Sequence, residues 1–242
     1  MLLSKNTALS FSDWLQYAPE EGCEALVDKP AGWTSFDVVA KLRNLTGIKK
    51  VGHTGTLDPF ATGLLILCFG RSTKKISSYN EYKKVYTGII RLGAVTKTLD
   101  TESEEEKITD ISQIDIKQII EAAPSFIGKL QQIPPVFSAK KIGGRRLYEL
   151  ARKNIDVQPL PKEVEVYRFD ILDYSMPFVR FEAECSTGTY IRSLARDLGA
   201  MLSCGGYLSE LRRTSIGEYK VEAALKIEDF IEMKNSSLSV PL

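Results

Sequence analysis

Apolar and polar positions alternate along this chain with periods that change every few tens of residues. Ala25-Leu26-Val27-Asp28-Lys29-Pro30 is a short strand stopped by proline, with a Gly32 turn behind it. Thr34-Ser35-Phe36-Asp37 then places a hydroxyl three residues ahead of an acid, the start signal of a helix. Val38, Val39, Leu42 and Leu45 follow at helical spacing, and Gly47 marks the stop. The unbroken apolar run Leu64 to Phe69 predicts a strand buried on both faces, and Val85 to Leu92 a further strand. Ile114 to Ala122 reads as helix. Val179, Phe181, Ala183 and Cys185 alternate with Arg180, Glu182 and Glu184, as in a half-buried strand. After Ser186-Thr187-Gly188, the positions Ile191, Leu194, Leu198 and Leu202 form one apolar helical stripe. Strands and helices mix without strict alternation, which predicts an α+β fold rather than a doubly wound one.

The remaining segments are polar. Met1 to Glu21 carries scattered aromatics, Phe11, Trp14 and Tyr17, and predicts a helical turn or two lying on the body. Asp100, Glu102, Glu104, Glu105 and Glu106 read as a solvated acidic loop. Phe137 to Lys153 holds Lys140, Lys141, Arg145, Arg146, Arg152 and Lys153 against Glu149 alone. Pro134-Pro135 ahead of it and Gly143-Gly144 within it predict a protruding, hinged element rather than core.

Composition narrows the chemistry. The 242 residues suit one large domain or two small ones and suffice for a proper core. A formal net charge of +1 excludes binding of polyanions by bulk charge, so any nucleic-acid site is a local patch. The single histidine, His53, excludes sites built on two histidines. Cys23, Cys68, Cys185 and Cys204 form no C-x-x-C pair and read as buried reduced thiols. There is no signal-peptide pattern and no apolar run longer than six residues, so a cytoplasmic protein outside the membrane is expected.

The densest chemical candidate is Gly52-His53-Thr54-Gly55-Thr56-Leu57-Asp58-Pro59-Phe60-Ala61-Thr62-Gly63. Its glycines, threonines and proline specify a tight backbone leading into a buried strand, and rigid loops on sheets often carry catalytic groups. It is not a phosphate-binding P-loop, since no Gly-Lys-Ser/Thr follows. Alone, Asp58 reads as a turn starter, Tyr86 as a packing aromatic, His53 as a hydrogen-bonded residue, and Arg192 with Arg196 as a solvated helix face.

Together, four stretches resemble the TruB-type tRNA pseudouridine synthases. They are Val27-Asp28-Lys29-Pro30; the loop Gly52 to Gly63; Pro134 to Lys141 with Leu147-Tyr148; and Ser186 to Arg192 with Leu211-Arg212-Arg213. They occur in the family's order over roughly Ala25 to Phe230. The resemblance implies a mainly antiparallel central sheet flanked by helices, and isomerisation of a tRNA T-loop uridine without cofactor or metal. It implies Asp58 as nucleophile and Arg192 as its partner. Tyr86 is implied to stack on the target base, with proton transfer left open between it and a Lys or His. Tyr190 and Leu211 would line the pocket, and His53 would stack in the RNA where the base has left. Lys29 would contact the backbone or support the pocket floor. Lys140, Lys141, Arg145 and Arg146 would track phosphates from an RNA-binding insertion.

The domain organisation expected is an extension over 1–23, a catalytic domain over 24–235 with the insertion at 130–155, and a tail over 236–242. Only twelve residues follow Phe230, so a compact form without the family's C-terminal PUA domain is expected. The expected partner is the T-arm of tRNA, with the protein a monomer. The alternatives are a synthase acting on another RNA stem-loop and a tRNA-binding folding helper.

Overall fold

The computed structural model describes residues 1–138, 141–142, 145–151, 155, 157 and 159–238. The chain forms two compact units, residues 1–85 with 212–242, and residues 86–211. The first unit opens with β1 (Leu2–Leu3), α1 (Phe11–Tyr17), β2 (Cys23–Lys29), α2 (Ser35–Thr46), β3 (Val51–His53) and β4 (Thr62–Phe69). β5 (Lys84–Leu92) leads into the second unit. There follow β6 (Val95–Thr96), β7 (Glu105–Glu106), α3 (Ile116–Ala122), β8 (Gly128–Gln132), β9 (Lys141–Ile142) and β10 (Arg145–Arg146). Next come α4 (Leu147–Ala151), β11 (Lys162–Ser175), β12 (Phe178–Cys185) and α5 (Ile191–Met201). β13 (Gly206–Ile216) returns the chain to the first unit, which closes with β14 (Tyr219–Lys220) and α6 (Ile227–Leu238).

The helix predicted at Thr34 forms as its chemistry dictates. Thr34 Oγ1 accepts from the Asp37 N–H, and the Asp37 carboxylate accepts from the Thr34 N–H, so each satisfies the other's orphan group. Gly47 ends the helix at φ 72°, a conformation that costs little only without a Cβ. α2 turns Val38, Val39 and Leu42 onto a core built with β2, β4 and α6.

β4 is the axis of the first unit. β2 lies antiparallel along one edge, from Lys29 opposite Gly63 to Cys23 opposite Phe69. The other edge is shared: β3 pairs antiparallel at its far end (His53 opposite Leu67), and β13 pairs parallel at its near end (Arg213 opposite Gly63). The loop between β3 and β4 therefore begins and ends on this shared edge. Gly63 has φ 104°, and a Cβ there would lie 2.3 Å from the Arg213 carbonyl oxygen, so the close approach of β4 and β13 requires glycine.

The N-terminal segment does more than lie on the body. β1 adds a parallel strand to β2, which polar composition did not announce. Trp14 is wholly buried, edge-on to Phe69 at 4.8 Å, and its Nε1 donates to the Glu24 carbonyl at 3.2 Å. Trp14→Ala is expected to cost about 3–5 kcal/mol, as for other large-to-small core changes, read as a lowered urea midpoint.

In the second unit the strand order is β13-β5-β12-β11-β8. β11 pairs antiparallel with both β12 and β8. Phe126, Phe169 and Phe181 pack in sequence at 5.6 and 5.5 Å between ring centroids. The α+β class and the mainly antiparallel sheet are as expected. All four cysteines are buried and unbridged. Among the described residues no helix is long and apolar enough to cross a membrane.

Two expectations need correction. The acidic run is solvated from Thr101 onward, but Asp100 is completely buried. The basic segment is only partly a protruding element: Pro134, Pro135, Ser138, Leu147 and Leu150 are buried. Leu147 and Leu150 sit three apart on α4, which anchors the segment by one apolar helix face. Gly143, Gly144, Lys140, Arg152 and Lys153 lie outside the described residues.

Candidate active site

The loop carrying Asp58 belongs to the first unit. Leu57 is buried, and its backbone is held by Ser35: the Leu57 N–H donates to Ser35 Oγ (2.9 Å), which donates to the Leu57 carbonyl (3.2 Å). On the other side of Asp58, Lys29 Nζ donates to the carbonyls of Pro59 (3.2 Å), Pro30 (2.8 Å) and Trp33 (2.6 Å). The Ala61 N–H closes a turn onto the Asp58 carbonyl at 3.1 Å. Arg213, also buried, donates from Nε to the Leu64 carbonyl (2.7 Å) and from Nη2 to the Gly55 carbonyl (3.2 Å). Asp58 itself is half-buried. Three interior donors thus grip the backbone on both sides of the carboxylate and leave its position little freedom.

Lys29 is fully buried, and these three bonds go to loop carbonyls of its own unit. Arg213, in the last of the stretches that carry the resemblance, holds the loop through the Gly55 and Leu64 carbonyls. Arg212 beside it forms a two-pronged pair with Asp28 at 3.0 and 2.7 Å, fixing β13 to β2 across β4.

His53 closes β3, half-buried, edge-on to Phe36 at 5.4 Å between ring centroids. The Gly55 N–H donates to its Nδ1, so the neutral ring carries its proton on Nε2. Burial first, and then the Arg213 charge, hold the His53 pKa below its ordinary value. The unfolded chain therefore takes up this proton first as pH falls below about 6.5, and folding stability should drop from there toward the lower folded pKa. His53→Gln should flatten that slope between pH 7.5 and 5.5, measured as urea midpoints; an unchanged slope would remove His53 as its source.

Tyr86, Tyr190, Arg192 and Leu211 belong to the second unit. Tyr86 lies on β5, half-buried; Leu211 is buried on β13; Tyr190 is half-buried at the start of α5. Arg192 is not on a solvated face. It is 3% exposed, with Nη1 on the Asp100 carboxylate (2.9 Å) and the Thr98 carbonyl (2.8 Å), and Nη2 on the Phe137 carbonyl (2.9 Å). Asp100 is held in turn by the Glu102 N–H at 2.9 Å. Arg196, four residues on, pairs with Asp197 and keeps partial solvent contact. The buried Arg192–Asp100 pair is the site feature that sequence reasoning missed.

Of the basic residues, Lys141, Arg145 and Arg146 fall on the β9–β10 hairpin, whose register sets Lys141 opposite Arg146. Lys140 lies outside the described residues.

Residues 43–191 match a family model described as the N-terminal domain of TruB family pseudouridylate synthases. Residues 192–238 match one described as the tRNA pseudouridylate synthase B C-terminal domain. The chain is 48% identical over 225 residues to the tRNA pseudouridine synthase B of Chloroherpeton thalassium, covering 91% of this chain and 93% of that one. With the protein of the same name from Clostridium kluyveri, identity is 44% over 209 residues, covering 86% and 72%. Among solved structures, it is similar to a chain of a Cbf5–Nop10–Gar1 complex, with TM-score 0.69 and 26% identity. That likeness covers 95% of this chain and 62% of the other.

Proposed function

The chain belongs to the TruB family of pseudouridylate synthases, and from that premise we propose that it converts the T-loop uridine at position 55 of tRNA to pseudouridine, as a monomer in the cytoplasm. The reaction breaks the N1–C1′ bond, turns the uracil and joins C5 to C1′; C5 loses a proton and N1 gains one. It is redox-neutral and takes nothing from outside, so it calls for no cofactor. It needs an ionised nucleophile held in place, a pocket that keeps the loose base, and access to a base that is normally stacked. Extruding such a base costs a few kcal/mol.

Asp58 is the nucleophile in this reading. The observation that supports it is the grip of Lys29, Ser35 and Arg213 on the loop backbone, which fixes the main chain on both sides of the carboxylate. The family resemblance makes Arg192 the partner of that carboxylate, and Asp100 holds Arg192. Tyr86 stacks on the target base, Tyr190 and Leu211 wall the pocket, and His53 fills the gap left in the RNA. A neutral imidazole suits stacking of this kind, and the depressed pKa of His53 keeps it neutral.

The β9–β10 hairpin supports the RNA assignment. Its sequence sets Lys141, Arg145 and Arg146 on two short paired strands, and Lys and Arg are the residues that contact phosphates. The T-arm is the recognised element because folded RNA loops are read by shape and unstacked bases.

The test is position mapping. An unmodified tRNA transcript incubated with the protein should acquire pseudouridine at position 55, and a transcript with cytidine there should acquire none. Modification elsewhere in the tRNA, or in a different stem-loop only, would replace this substrate.

A further inference from the structure

Gln132 closes β8 with its side chain inside the second unit, only 3% exposed. A buried primary amide has to satisfy both its donor and its acceptor. It does so on a single residue 58 positions away: Nε2 donates to the Tyr190 carbonyl (3.0 Å) and Oε1 accepts the Tyr190 N–H (2.7 Å). Tyr190 is where α5 starts, and the helix has no side-chain cap of its own there. The N–H at such a start has no partner within the helix. In α3 the same need is met locally, by Gln118 accepting the Asp115 N–H. In α5 it is met by Gln132.

The neighbouring backbone continues this attachment. The Ile133 carbonyl accepts from Ser193 Oγ (2.8 Å) and Arg196 Nη2 (3.2 Å), and the Phe137 carbonyl from Arg192 Nη2 (2.9 Å). These contacts hold side chains of α5. Those of Gln132 hold its backbone, two residues before Arg192.

We propose that Gln132 is a positioning residue for the isomerisation: by fixing the start of α5 it sets where the Arg192 guanidinium and the Tyr190 ring stand. The proposal rests on the reading of Arg192 and Tyr190 given above. A catalytic group misplaced by about 1 Å loses on the order of 100-fold in rate. Gln132→Ala should therefore lower the single-turnover rate on a T-arm stem-loop by about 10- to 100-fold while leaving the stem-loop Kd nearly unchanged. Gln132→Glu keeps an acceptor for the Tyr190 N–H, but as a carboxylate it has no donor for the carbonyl. Once protonated it has both, in nearly the shape of the amide. Its rate relative to wild type should rise as pH is lowered, whereas the Gln132→Ala ratio should stay flat. A general loss of folding would give neither this contrast nor an intact Kd.

Amide hydrogen exchange without RNA tests the clamp apart from the reaction. The Ser193 and Leu194 amides both donate to the Tyr190 carbonyl, at 3.0 and 3.3 Å, and should exchange faster in Gln132→Ala. Unchanged exchange overturns the clamp. Faster exchange with an unchanged single-turnover rate, or a Gln132→Glu ratio that is flat with pH, overturns its role in catalysis. Failure of the wild type to isomerise the stem-loop would instead overturn the functional reading, and the exchange result would still stand.

Discussion

Asp58→Asn is expected to give a folded protein that binds the T-arm stem-loop and isomerises nothing. The substitution keeps side-chain size, and the loop is anchored by backbone groups: the Pro59 carbonyl on Lys29, Leu57 on Ser35 and the Gly55 carbonyl on Arg213. A neutral amide cannot replace the carboxylate as nucleophile, so the rate should fall by on the order of 10⁴-fold or more, as when a nucleophile is removed elsewhere. The check is single-turnover release of tritium from uridine C5, with filter binding of the same RNA. A variant within tenfold of wild type would take the nucleophile role away from Asp58.

The second large effect is expected at the buried ion pair. Arg192→Lys keeps the charge but replaces a planar fork by one ammonium. Nη1 and Nη2 now reach Asp100, Thr98 and Phe137 together, and a single nitrogen on a shorter head cannot reproduce that geometry. Asp100→Asn is the complementary change: it removes the charged acceptor that holds Arg192 Nη1. Removing one partner of a buried pair costs about 3–5 kcal/mol, and that loss should appear in the urea midpoint. Both variants should also lose about 100-fold or more in single-turnover rate, since preorganised charge is what the site supplies. An Arg192→Lys variant that retains stability and rate would show that charge alone suffices.

Legibility in the sequence followed the range of the determining contact. Helix α2 was readable at both ends because Thr34, Asp37 and Gly47 act within four residues of the turns they fix. β4 and β12 were readable because burial on two faces or one leaves a periodic trace. The loop around Asp58 announced itself through glycine and proline. Asp100 did not, because its burial depends on Arg192, 92 residues later, and its neighbours in sequence are exposed acids. The only local hint was the pair of hydroxyls just before it: Thr96 and Thr98 both donate to its carbonyl. Gln132 was silent for the same reason, a polar residue at a strand end whose partner lies 58 positions away. The anchoring of the basic segment was legible in principle from the apolar spacing of Leu147 and Leu150, but six cations in the same stretch outweighed it.

The measurement that bears most directly on the account is C5 tritium release by the wild-type protein from a labelled T-arm stem-loop under enzyme excess. The account predicts release of one tritium per target uridine. Tight binding of the folded stem-loop without any release would contradict it.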